Sequence, residues 1–135
     1  MKIDGRCHCG AITFEAELDP EAVGICHCTD CQTLTSSAFR IVGFVPEADF
    51  RLLTGKPKDY IKTAESGAKR NLTFCPDCGT AIYATTADNG EPKVYGVRMG
   101  AVVQRDQFPP KRQVWHRSAT PWLADLAAVP AQEKQ

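Results

Sequence analysis

Long apolar runs are missing from this chain. None approaches the ~18 residues that a membrane-spanning helix needs, so no membrane partner is expected. The opening residues Met1-Lys2-Ile3-Asp4-Gly5-Arg6 lack the apolar stretch of a secretory signal. An excess of either charge is missing too: 16 Lys and Arg balance 16 Asp and Glu. A general nucleic-acid binder carries a basic surplus, so none is expected here. Methionine is scarce, with two residues, and there is no internal repeat or low-complexity linker. These absences point to a cytoplasmic chain whose thiols stay reduced. The length of 135 residues suits one domain, read as residues 1–128 with a polar tail at 129–135. Oligomeric state is not legible.

Helical periodicity is nearly absent, and strand signals take its place. Ile12, Phe14, Ala16 and Leu18 alternate with Thr13, Glu15 and Glu17, the pattern of a half-buried strand. Asp19-Pro20-Glu21 closes it as a turn. Further strands are expected at 39–45 (ended by Pro46), 50–53, 59–63, 70–74, 80–86 and 93–97. Turn signals separate them at Thr54-Gly55, Ser66-Gly67, Pro76-Asp77 and Asp88-Asn89-Gly90. Only 30–35 and 122–128 suggest helix, the latter with Thr120 as cap and Pro121 in the first turn. The fold class is therefore all-β, built from short strands with little helix.

Against these absences stand seven cysteines. They fall into three groups: Cys7-His8-Cys9, Cys26-His27-Cys28-Thr29-Asp30-Cys31 and Cys75-Pro76-Asp77-Cys78-Gly79. On extended chain, the thiols of Cys-x-Cys point to one face. In Cys75 to Gly79 a turn brings two thiols together, and the glycine lets the chain curl in a zinc knuckle. Buried core cysteines do not cluster this way, and an odd number cannot all pair as disulfides. Soft thiolates favour zinc. Seven divides into a closed set of four, Cys7, Cys9, Cys75 and Cys78, and an open set of three, Cys26, Cys28 and Cys31. Closure of a four-thiolate site between the first and second groups is the competing arrangement.

The pattern CHCG, CHCxxC, FCxxCG resembles the glutathione-dependent formaldehyde-activating enzyme family, which shares its domain with centromere protein V. The matching stretches are 5–10, 26–31, 37–39, 53–55 and 71–80, with a weaker match at Trp115 and Pro121-Trp122. The resemblance implies a tent-shaped all-β fold of antiparallel strands with a zinc knuckle. It also implies structural zinc on Cys7, Cys9, Cys75 and Cys78, and catalytic zinc on Cys26, Cys28 and Cys31. The implied activity is that of a carbon–sulfur lyase handling a small thiol or thiol adduct such as S-hydroxymethylglutathione. Two departures stand out. Residues 32–37 lack the basic residues and glycine that relatives often carry there, and Met99-Gly100-Ala101-Val102-Val103 replaces an acidic turn.

Three thiolates on one zinc ion leave a coordination position free, where a thiol substrate would bind as its thiolate. The alternative is a non-catalytic zinc-stabilised protein-binding module, with the three-cysteine metal also structural. His8 and His27, each between two cysteines, are expected to face away from the metal and to pack or support it. His116 is a candidate general base, though a lone histidine is more often an ordinary surface group. Asp30 and Asp77 fit as turn residues. Lys69, Arg70, Arg98, Lys111 and Arg112 are candidates for binding substrate carboxylates, with solvated charge the plainer expectation. Trp115, Trp122 and Phe108-Pro109-Pro110 are expected in the core or around a pocket.

Overall fold

The alternation over residues 12–18 is realised as the second strand of a hairpin. In the computed structural model, which describes residues 1–86 and 90–135, β1 (Lys2–Arg6) pairs antiparallel with β2 (Thr13–Glu17). The other strands are β3 (Val23–Cys26), β4 (Arg40–Pro46), β5 (Phe50–Thr54), β6 (Lys58–Thr63), β7 (Lys69–Phe74), β8 (Ala81–Thr86), β9 (Val94–Arg98) and β10 (Arg112–Val114). The α-helix is α1 (Thr29–Thr35); the remaining helical turns are 3-10. The chain is thus all-β with little helix.

Two sheets result among the described residues. The smaller runs β1-β2-β5, and the larger runs β10-β3-β4-β9-β8-β7-β6. Alternate residues of β1 and β2 turn inward: Ile3, Phe14 and Ala16 are buried while Asp4 and Glu17 face out. Phe14 stacks on Phe50, and Phe50 packs against Tyr83 and Tyr95 of the larger sheet, with ring centroids 5.0 and 4.4 Å away. This aromatic cluster joins the two sheets over a core that includes Leu18, Val45, Ile82, Val97 and Val102. Burying each such side chain is worth about 1.5–3 kcal/mol.

Several expectations need correction. β1, β3 and β10 carried no strand signal strong enough to be read. Each is short, and β1, which alternates in the fold, puts a single apolar side chain, Ile3, on its buried face. β10 also runs parallel to β3, with Gln113 opposite Ile25, whereas the other strand pairs are antiparallel. The second helix expected at 122–128 is 3-10 over Leu123–Ala128, and Thr120 does not cap it. The Thr120 hydroxyl is buried without a hydrogen-bond partner. The turn at Asp88-Asn89-Gly90 falls largely on residues 88 and 89, which lie outside the described residues.

Candidate functional site

Each cysteine group sits where a strand gives way to a turn or helix. Cys75 follows β7, just past a register shift between Thr73 and Phe74. The Gly79 N–H donates to the Cys75 carbonyl at 2.8 Å, and Gly79 takes φ 79°, which closes the knuckle between β7 and β8. The first group departs from expectation: Cys7-His8-Cys9 is not extended strand but the turn between β1 and β2. There the Gly10 N–H donates to the Cys7 carbonyl at 3.1 Å. Glycine allows the positive φ of 84° at that position. A turn shared with Gly10, rather than strand pleat, therefore brings the two sulfurs to 3.6 Å.

The sulfurs of Cys7, Cys9, Cys75 and Cys78 all lie within 4.8 Å of one another, with Cys9 and Cys75 3.8 Å apart. A tetrahedral ion with ~2.3 Å bonds to sulfur holds its ligands ~3.8 Å apart, so this donor set fits zinc. All seven cysteines are free thiols. Neighbouring donors bias the cluster. Burial raises Cys7, but the Ile12 N–H, 3.2 Å from its sulfur, and the adjacent thiols bring its pKa below normal. The Thr80 hydroxyl, 3.2 Å from the Cys78 sulfur, leads the donors that hold Cys78 at about 5. At Cys9 the Ala11 N–H favours the thiolate, yet Cys7, burial and the other two thiols outweigh it and push it up to about 12. Sulfurs this close cannot all carry charge unaided, and a divalent cation removes that repulsion.

Cys26, Cys28 and Cys31 form the second cluster, their sulfurs likewise within 4.8 Å of one another. Cys26 ends β3, and Cys28 caps α1, its sulfur accepting the Cys31 N–H at 3.3 Å. Burial pushes Cys26 up to about 12. Burial also raises Cys28, but the Cys31 N–H, the two neighbouring thiols and the Lys62 charge overcome it and leave Cys28 below normal. The structure therefore groups the cysteines four and three, not first with second. Three soft donors on one side of a half-buried site also suit zinc, with a position left over.

The ligand atoms of His27 are not grouped with the three sulfurs. His27 is 1% exposed, its Nε2 lies 2.6 Å from Gln113 Oε1, and its ring meets Phe39 and His116 edge-on. His8 is exposed in its turn. His116 is exposed and contacts His27 rather than a sulfur. Asp30 pairs with Lys62 at 3.0 Å, and Asp77 is an exposed turn residue. Trp115 and Trp122 are 42% and 54% exposed, so neither is core, whereas Phe108 is buried. Lys69 is engaged with Thr63 and Lys111 with Glu21, while Arg112 lies over the Phe44 ring and with it and Cys26 lines a small pocket of about 50 Å³.

Arg98 is different. With Leu34 and Thr35 of α1 and with Gly79 and Thr80 of the knuckle, it lines a cavity of about 510 Å³, walled by the helix that carries Cys31 and by the knuckle turn. An adjoining space of about 320 Å³ adds Tyr60, Leu72 and Phe74. Both are also lined by Arg40, which sequence reasoning missed. Arg40 is 6% exposed, and its Nε has no hydrogen-bond partner. The available signal was an arginine heading the otherwise apolar run Ile41 to Val45, two residues from Val42 and so on the same strand face.

A family model described as glutathione-dependent formaldehyde-activating enzyme matches residues 2–118. The chain belongs to this family. A relative from Schizosaccharomyces pombe, named an uncharacterized lyase, is 26% identical over 89 residues; the match takes in 66% of this chain and 61% of the yeast protein's length. A crystal structure of a Rhodobacter sphaeroides protein shares the fold with a TM-score of 0.62, at 23% identity, covering 82% of this chain and 99% of that one. In this member of the formaldehyde-activating family, no helix among the described residues is long and apolar enough to cross a membrane.

Proposed function

We propose that the chain is a zinc-dependent carbon–sulfur lyase acting on a thiol–aldehyde adduct such as S-hydroxymethylglutathione. The observation that carries this reading is the unequal pair of sulfur clusters, one of four donors and one of three. A module that needs metal only to fold needs only the first. In this reading Cys7, Cys9, Cys75 and Cys78 hold a structural ion that ties the β1–β2 turn to the β7–β8 turn. Cys26, Cys28 and Cys31 hold the second ion, beside the cavity lined by Arg40, Arg98 and Leu34. Zinc there would keep the substrate's sulfur as a thiolate, the state in which it leaves or attacks carbon.

The bond changes balance without any further reagent. Cleavage moves the carbon–sulfur electron pair to sulfur, the hydroxyl oxygen becomes the carbonyl oxygen of the aldehyde, and its proton goes to solvent. The addition is the same set of changes reversed. What the chain's own residues contribute is placement: β3 and α1 fix the three sulfurs, and the cavity walls confine the adduct.

Metal analysis of the native chain and of single Cys→Ser variants, read together with adduct turnover, tests this reading. Two ions per native chain are expected. Cys28→Ser keeps one ion and native circular dichroism and loses turnover, while Cys75→Ser unfolds. If every substitution unfolds the protein equally, the trio is structural and the chain is a zinc-stabilised binding module.

A further inference from the structure

We propose that Arg40 and Arg98 form the seat for a carboxylate of the thiol substrate whose sulfur meets the Cys26–Cys28–Cys31 site, an inference that rests on the lyase reading for the sulfur but not for the carboxylate. Strand register places the three elements. In the β3–β4 pair Cys26 lies directly opposite Arg40, and in the β4–β9 pair Val42 lies directly opposite Arg98. Opposite residues project to the same face, and so do residues two apart on one strand. Cys26, Arg40 and Arg98 therefore occupy one face of the large sheet, with Arg40 between the sulfur cluster and Arg98.

Neither guanidinium has a carboxylate within ion-pairing distance among the described residues, although Asp30, Glu15 and Glu21 all have cationic partners. Lys62, whose charge favours the Cys28 thiolate, is already paired with Asp30. Arg40 is almost wholly buried with its Nε unsatisfied, and both arginines line the cavity. Two neighbouring like charges, one buried and one half-buried, with no carboxylate partner are costly. While the adduct is intact its sulfur is uncharged, so three thiolates with a divalent ion leave one surplus negative charge against the two guanidiniums, and a further anion is favoured. Arginine's planar fork suits a carboxylate. Leu34, Tyr60 and Leu72 supply an apolar wall for the carbon skeleton between carboxylate and sulfur.

S-methylglutathione is the probe, because it keeps both carboxylates while its sulfur cannot become a thiolate. Calorimetric titration of the zinc-loaded full chain should show about tenfold or tighter binding of the free acid than of its dimethyl ester. In Arg98→Gln and Arg40→Gln the acid-to-ester preference should shrink toward one, and Arg98→Lys should restore part of it. Circular dichroism and zinc content identify any variant that fails to fold, and the acid–ester comparison on the native chain needs no variant. Equal binding of acid and ester overturns the proposal. So does a preference that survives unchanged in folded Gln variants, which would put the carboxylate elsewhere. If the preference follows the arginines but no thiol adduct is turned over, the carboxylate seat stands and the lyase reading falls. If adducts are turned over with no such preference, only the seat falls.

Discussion

The Thr80 hydroxyl stands 3.2 Å from the Cys78 sulfur and also accepts the His8 N–H at 3.0 Å. A Cys78 thiolate has no proton of its own to give, so the hydroxyl donates to it. One side chain thus supports the Cys78 thiolate and ties the first cysteine turn to the second. Hydrogen bonds of this kind to metal ligands are worth about 10–100-fold in metal affinity. Thr80→Val should therefore weaken zinc retention at the four-cysteine site by a factor in that range, measured by chelator competition. Thr80→Ser should stay close to native.

Gly5 faces Phe14 across the β1–β2 pair. A Cβ at residue 5 would lie 1.9–2.4 Å from three atoms of that ring. Phe14 is 1% exposed and stacked on Phe50, so the ring cannot swing out of the way. Gly5→Ala should destabilise the chain by about 1–3 kcal/mol through overpacking, seen as a lower urea midpoint. Zinc stoichiometry should stay at the native value, because the ring and not a ligand is displaced.

Where alternation or a turn dipeptide wrote the structure, the sequence could be read. The β2 pattern of Phe14 and Ala16 against Glu15 and Glu17, and the Pro76-Asp77 turn inside the knuckle, both appear as expected. Spacing confined Cys26, Cys28 and Cys31 to one short stretch but left closure of the first group with the second open, and the grouping of the sulfurs into four and three comes from the fold. The short strands β3 and β10 were not, because Val23-Gly24-Ile25-Cys26 and Arg112-Gln113-Val114 have no period of their own and form only against each other and β4. Arg40 was invisible as a site residue for a related reason. Its meaning lies in its position opposite Cys26 and diagonal to Arg98, and that register exists only once β3, β4 and β9 have paired. Trp115 and Trp122 misled in the other direction: large aromatic rings suggest a core, yet both lie at the surface.

Gln113, on the short strand β10, holds the buried His27 ring through a 2.6 Å bond from Nε2. The neighbouring His27 N–H donates to the Val114 carbonyl at 3.1 Å, and Gln32 of α1 donates to the carbonyls of His27 and Ser118. Gln113→Leu removes the acceptor and leaves a buried ring N–H unsatisfied, at a cost of about 1–3 kcal/mol. The expected readout is a lower unfolding midpoint together with faster amide exchange across 112–118. The four-cysteine site should be unaffected, as it lies on other turns.

Arg98 should be a burden to the protein in the absence of ligand. Burial, followed by the Arg40 charge, draws its pKa down from the usual guanidinium range to about 9, with Arg70 adding to the fall and Cys31 and Cys26 opposing it. The folded state therefore binds this proton less tightly than the unfolded chain does. The resulting cost is fully present below about pH 9 and fades as pH rises from there toward the ordinary guanidinium range. Arg98→Met keeps the apolar bulk and removes the charge, so at pH 7 it should be more stable than the native chain, on the order of a few kcal/mol. Urea denaturation at pH 7 and pH 10 should show that advantage shrinking at the higher pH. S-methylglutathione should raise the native melting temperature and leave that of Arg98→Met almost unmoved. If Arg98→Met is the less stable chain at pH 7, the guanidinium has a favourable partner within the fold and is not held in reserve for an anion.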